Sequence, residues 1–245
     1  AGNYGSACST VSEPIAIYDA TFSIGATDSL DLIAGFSSRG PVTVDGSGRM
    51  KPNLSAPGVS IYSSIPGGSY STMSGTSMAS PHVAGAAALV WSARPDLRGQ
   101  TSAIRSLLST TAAPRYSSQC GDLPDAIPNN VYGWGRLDGL GAVEEALAGV
   151  LIGTVRDMRG MPLSGARVEA GFPPASWDAL SAPDGIYALR PISGTYTITA
   201  SALAYRTTVV TGISVTTGMT TTLDLVLEQE RLYLPTVVRA SSQDQ

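Results

Sequence analysis

Residues 74–90 read SGTSMASPHVAGAAALV. The run from Ser77 to Arg94 predicts a helix, stopped by Pro95. Pro81 falls in its first turns, where a missing N–H does little harm. The most apolar part, Val83–Trp91, is half Ala and Gly and too short to cross a bilayer, so it reads as a buried helix. Gly75-Thr76-Ser77-Met78-Ala79 sets a serine among small residues at the mouth of that helix. Two readings stand side by side. Ser77 is a nucleophile, with Gly75 and Thr76 leaving room for a substrate backbone and unpaired helix N–H groups ready for an oxyanion. Alternatively, Ser77 is an ordinary helix cap.

A serine nucleophile needs a base, and the chain holds one histidine, His82. Five helical positions separate it from Ser77, about 7.5 Å along the axis and about 140° around it. Helical neighbours meet at three and four positions, not five. A base must come within roughly 2.6–3.2 Å of its nucleophile. His82 therefore reads as a structural imidazole, buried and hydrogen-bonded inside the domain. With no other histidine, no Ser-His-acid set can be assembled from these residues in any chain order.

The bulk composition agrees with a folded, uncharged-cored protein. Of 245 residues, 43% are apolar and 14% charged, with a net charge of −4 and the Lys and Arg scattered singly. A sizeable core is expected and a nucleic-acid partner is not. No apolar run is long enough for a membrane span. The chain opens on AGNYG without Met or a signal-like segment and reads as starting mid-domain. Cys8 and Cys120 lack the spacing of a zinc site or redox pair. A structural disulfide of a secreted protein and two unrelated buried thiols both remain open.

Organisation changes near residue 150. Before it, strands at Thr21–Ala26 and Val59–Ile65 alternate with helices at Ser77–Arg94, Thr101–Ala112 and Asp138–Ala148, which predicts an α/β layered domain. After it, short strand-like runs follow at close spacing. Tyr196, Ile198 and Ala200 alternate with Thr195, Thr197 and Thr199, and Leu223, Leu225 and Leu227 alternate with Thr222, Asp224 and Val226. Asp184-Gly185 and Ser193-Gly194 supply turns, so a small all-β sandwich of roughly seven strands is expected. RLYLPTVVR in the tail, residues 229–245, can add one strand.

SGTSMASPHVAG closely resembles the serine motif of the subtilisin-like serine peptidases, or subtilases. AGNYG at 1–5 resembles that family's oxyanion segment. FSIGATD at 22–28, FSSRGP at 36–41 and KPNLSAPG at 51–58 resemble its core segments, and PNNVYGWGRLDGLGAVEEAL at 128–147 its closing one. The spacing and the two Cys look most like the bacillopeptidase-type secreted branch. The resemblance covers residues 1–148 and corresponds to the second half of a subtilase domain, a parallel-sheet α/β fold. Residues 151–228 resemble the carboxypeptidase regulatory-like, or transthyretin-like, β-sandwich, through GTVRD, PLSGARVEA, DGIYAL and GTYTITASALAYR.

The resemblance implies a secreted endopeptidase acting on protein or peptide substrates. Ser77 would form the acyl-enzyme. Asn3 and the Ser77 N–H would hold the oxyanion. Gly2 would leave room beside the specificity pocket, and Met78 would lie against the nucleophile. His82 matches a motif histidine that is not the base. The triad Asp and His would lie upstream of Ala1, in the missing N-terminal half of the domain, leaving this chain inactive alone. No cofactor is expected and no metal is assigned, although subtilases often hold structural calcium and the Glu13–Asp19 loop is one location for it. The alternative is an inactive relic whose sandwich serves in adhesion or binding.

Overall fold

A computed structural model describes residues 1–172 and 175–230; the tail strand considered above lies outside them. The chain divides into two compact units, Ala1–Leu147 and a second beginning at Ala148.

The first unit is α/β. After a short helical turn, α1 (Pro14–Ile17), come strands β1 (Ile24–Thr27), β2 (Leu54–Pro57), β3 (Ile61–Ile65) and β4 (Ser69–Met73). Helices α2 (Thr76–Ala93), α3 (Thr101–Thr110) and α4 (Gly139–Leu147) follow. β1 and β2 pair in parallel, Ile24 opposite Leu54 through Thr27 opposite Pro57. Both are almost wholly buried, as a parallel pair covered by helices must be. Residues 135–137 extend the layer beyond β2, with the Ser55 N–H donating to Gly135 and the Leu137 N–H to Ser55.

Helix α2 packs on this layer through Ala79, Val83, Ala86 and Val90, joining a core with Ile24, Leu54, Ile104, Leu108 and Ala142. Gly58 makes the close seat possible. A Cβ there would stand 2.7 Å from the Ala26 Cβ and 2.8 Å from the Gly75 carbonyl. The Gly75 N–H donates to the Gly58 carbonyl at 2.8 Å, so strand end and helix start are tied. Helix α2 is not buried on all sides, as its composition predicts. Pro81, His82, Ala84, Gly85, Ala88 and Leu89 are exposed. They fall away from the packed face, and no described residue covers them.

The strand expected over Val59–Ile65 starts at Ile61 and forms an antiparallel hairpin with β4, which the sequence pattern did not suggest. Tyr62 and Tyr70 stack across it at 5.5 Å. A disulfide joins Cys8 to Cys120, resolving the two readings of those residues. Closing a loop of 112 residues, it is worth roughly 4–5 kcal/mol in the chain-entropy picture.

Lys51 is 1% exposed, yet its Nζ is held by neutral oxygens. Its Nζ donates to the Thr21 carbonyl at 2.6 Å and to Asn53 Oδ1 at 2.8 Å. Burial first, then the charge of Arg105, lowers its pKa from 10.5 to about 8, with Asp19 opposing and Arg49 adding slightly. Between pH 8 and 10.5 the unfolded chain then binds a proton that the folded chain has released, so stability rises with pH across that window. Lys51→Met should remove a rise of the order of 3 kcal/mol. Denaturant unfolding of both proteins at pH 7.5 and 10 checks this; parallel pH profiles would refute it.

The second unit is built from eight described strands: β5 (Val150–Asp157), β6 (Arg167–Phe172), β7 (Ala175–Leu180), β8 (Ile186–Leu189), β9 (Gly194–Ser201), β10 (Thr208–Val215), β11 (Thr220–Thr222) and β12 (Leu225–Leu227). One sheet runs β10-β9-β6-β7, all antiparallel. The other centres on β5, with β8 antiparallel and β11 and β12 parallel along successive halves of its other edge. The step between β11 and β12 brings the Leu223 carbonyl over Gly153, where any Cβ would stand 1.8 Å from that oxygen. The Tyr187 hydroxyl donates to the same carbonyl at 2.6 Å. Alternation works as expected: Tyr196, Ile198 and Ala200 meet Leu151, Val155, Leu225 and Leu227 in one core.

Candidate active site

The site is assembled where three separate stretches meet: residues 1–5, residues 36–38 and the start of α2. The 36–38 loop pins the N-terminal stretch. The Ser38 N–H donates to the Gly2 carbonyl at 3.0 Å, and the Gly5 N–H to Phe36 at 3.0 Å. Tyr4 donates its N–H to Ser38 Oγ at 3.0 Å. Gly2 has φ +107°, in the region that disfavours side chains, and a Cβ there would stand 3.0 Å from Ser38 Oγ.

Asn3 then reaches the helix start. Its Oδ1 accepts the Thr76 N–H at 2.9 Å. Because that oxygen is spoken for by a backbone donor, the amide orientation follows: Nδ2 is the end left to donate. Nδ2 lies near Gly75, 3.5 Å from where a Cβ on that glycine would sit. Thr76 itself is buried, and its Oγ1 accepts the Gly2 N–H at 3.3 Å. Its side chain thereby locks Gly2 against α2, at the cleft it was expected to share with substrate.

Ser77 is exposed at the second position of α2. The N–H groups of Met78 and Ala79 both turn back to the Gly75 carbonyl. Thr76 has Asn3, and the Ser77 N–H has no acceptor among the described residues. Two donors, Asn3 Nδ2 and the Ser77 N–H, are thus left free beside one hydroxyl. Such a pair can stabilise negative charge developing on a substrate oxygen.

Ser77 borders two clefts. One, of about 620 Å³, lies between the β3–β4 hairpin and α2, with Ile61, Met73, Met78, His82 and Leu89 among its lining. The other, of about 440 Å³ and more polar, is shared with Gly2, Asn3, Tyr4, Glu13 and Thr76.

His82 is not the buried imidazole expected of it; it is exposed. Its Nδ1 lies 2.9 Å from the Met78 carbonyl one turn back. A carbonyl only accepts, so that nitrogen carries the hydrogen and bonds within its own helix. It sits on the flank of α2 beyond the packed face, where no described residue covers it. Pro81 is the sixth residue of α2, so its absent N–H leaves the Ser77 carbonyl without a helical donor.

No group of three or more His, Cys, Asp or Glu side chains suited to a metal occurs among the described residues. Glu13 accepts a hydrogen bond from the Tyr4 hydroxyl. That pair, and the hold of Thr76 on Gly2, carry no sequence signature, because each depends on loops that meet only in the fold.

The family model for the subtilase family matches residues 1–135, and that for the carboxypeptidase regulatory-like domain matches residues 150–228. The chain is 40% identical over 134 residues to Bacillopeptidase F of Bacillus subtilis (strain 168), covering 54% of this chain and 9% of that protein. It is 46% identical over 114 residues to Subtilisin DY of Bacillus licheniformis, covering 46% of this chain and 37% of that one. Among solved structures it is similar to fervidolysin from Fervidobacterium pennivorans, described as a keratinolytic enzyme related to subtilisin, at 22% identity and a TM-score of 0.35. That match covers 82% of this chain and 36% of the other. The chain thus spans well under half the length of each of these relatives.

Proposed function

The chain belongs to the subtilase family, and from that premise we propose that residues 1–148 are part of a secreted serine endopeptidase that cuts peptide bonds through an acyl-enzyme on Ser77. The observation that carries this reading is the Asn3 Oδ1 bond to the Thr76 N–H, which leaves Nδ2 as a donor next to Ser77. In the reaction, Ser77 Oγ attacks the substrate carbonyl. Asn3 Nδ2 and the Ser77 N–H receive the charge that forms on its oxygen, and the amine departs with a proton. The acyl-enzyme is then hydrolysed through the same two donors.

The proton has to go to a base, and His82 is committed to Met78. We therefore assign the base and its acid partner to polypeptide preceding Ala1, the order in which subtilisins carry acid, histidine and serine. The uncovered face of α2 supports this, since a helix apolar on all sides is normally covered on all sides. Export is supported by the Cys8–Cys120 disulfide, a bond typical of oxidising compartments. The second unit, from Ala148, acts as a spacer or adhesion module and adds no chemistry to the site.

A fluorophosphonate probe tests the reading. A polypeptide extended upstream of Ala1 should be labelled at Ser77, and residues 1–245 alone should not be labelled above background. An extended protein that resists the probe would end the peptidase reading and favour the relic with a working sandwich.

A further inference from the structure

The polar cleft beside Ser77 carries a charge that bond hydrolysis does not require. Glu13 stands at the start of α1 and is the single charged side chain among the residues lining that cleft. It is oriented rather than loose. The Tyr4 hydroxyl donates to its Oε1, and Tyr4 is itself held at its backbone by Ser38. The bond to Glu13, and then that carboxylate's charge, hold the Tyr4 phenol above its ordinary pKa, so it remains a donor at neutral and mildly alkaline pH. With Oε1 engaged by a neutral group, Oε2 keeps its capacity to accept from a cation.

A substrate carbonyl held between Ser77 and Asn3 brings the side chain of the same residue to the cleft that both of them line. Resting on the peptidase reading above, we propose that Glu13, oriented by Tyr4, makes this cleft selective for a cationic side chain, so that the substrates are polypeptides cut after Arg or Lys. An ammonium or guanidinium entering it meets one carboxylate and no competing cationic side chain in the lining. Glu13 is exposed, so the attraction is moderate and salt-sensitive rather than the large effect of a sealed pocket.

The test uses the polypeptide extended upstream of Ala1, with peptides differing only in the residue before the scissile bond. The ratio of kcat/KM for Arg over Leu should favour Arg and shrink as salt is raised. Glu13→Gln, which keeps an acceptor for Tyr4 and removes the charge, should lower that ratio about tenfold. Tyr4→Phe, which frees the carboxylate but keeps the ring, should lower it less. An unchanged ratio in Glu13→Gln, or a protein that prefers apolar or acidic residues there, would overturn the proposal. Ser77 labelling separates the two failures. A labelled protein without Arg preference refutes only the role of Glu13, whereas an unlabelled one refutes the peptidase reading and this proposal with it.

Discussion

Ser77→Ala in the upstream-extended protein should abolish measurable peptide hydrolysis, a fall in kcat of the order of 10⁶. That figure is the loss known for removing the nucleophile of a subtilisin, about 2 × 10⁶, carried to a member of the same family. The physical reason lies in the coupling of the parts. Once no hydroxyl can form the acyl-enzyme, a base gains nothing by accepting a proton, and only donor stabilisation and binding remain. Ser77 is exposed, so the substitution should leave stability within about 0.5 kcal/mol. Steady-state hydrolysis and denaturant unfolding of the same preparation check both halves. Residual activity within tenfold of the parent would show that Ser77 is not the nucleophile.

Replacing Asn3 should lower kcat by about 10²–10³ with little change in KM. That is the cost of removing the side-chain oxyanion donor in a subtilisin, applied here on the proposal that Asn3 plays that part. A donor that engages only the charged oxygen acts in the transition state and so moves kcat rather than KM. Asn3 has a second job, however, since its Oδ1 satisfies the Thr76 N–H at the helix start. The two jobs are separable. Asn3→Ala loses both. Asn3→Asp keeps an acceptor for Thr76 but exchanges the donor for a negative charge where negative charge develops. Asn3→Asp should therefore be at least as damaging to kcat as Asn3→Ala, yet less damaging to stability. If Asn3→Asp retained most of the activity, the residue would be an anchor for α2 and not an oxyanion donor.

Much of the architecture is written locally. The three longer helices begin and end within two residues of the expected positions, because Pro95 and the periodic placement of Ile104, Leu107 and Leu108 act over one or two turns. The alternation in Tyr196–Ala200 and in Leu225–Leu227 announces strands half-buried against a core, and those side chains are buried. The less legible strands have specific reasons. β2, LSAP, is four residues long and ends in proline, and only its place beside β1 makes it a strand. β4, SYSTM, is polar on both faces, so no periodicity marks it. The Pro66-Gly67-Gly68 turn joining it to β3 was the available signal, and Gly67 and Gly68 both have positive φ.

The exposure of His82 and of one face of α2 departs from expectation for a different reason. Composition tells how much surface a helix would bury in a complete environment, not how much of that environment a given chain brings. Likewise, Cys8 and Cys120 stand 112 residues apart, and spacing alone leaves both a bridge and two separate thiols open.

Residues 1–245 by themselves establish the serine at a helix start, the absence of a usable base and the change from α/β to all-β near residue 150. These are matters of composition, helical geometry and local periodicity, which need no partner to operate. Only the tertiary structure decides which end of the Asn3 amide is left to donate, that the Thr76 hydroxyl holds Gly2, that the cysteines are bonded and that Glu13 lines the same cleft as Ser77. Each of these is a contact between segments distant in sequence or separated by a loop, and a hydrogen bond acquires direction only once the fold has brought both its donor and its acceptor into place.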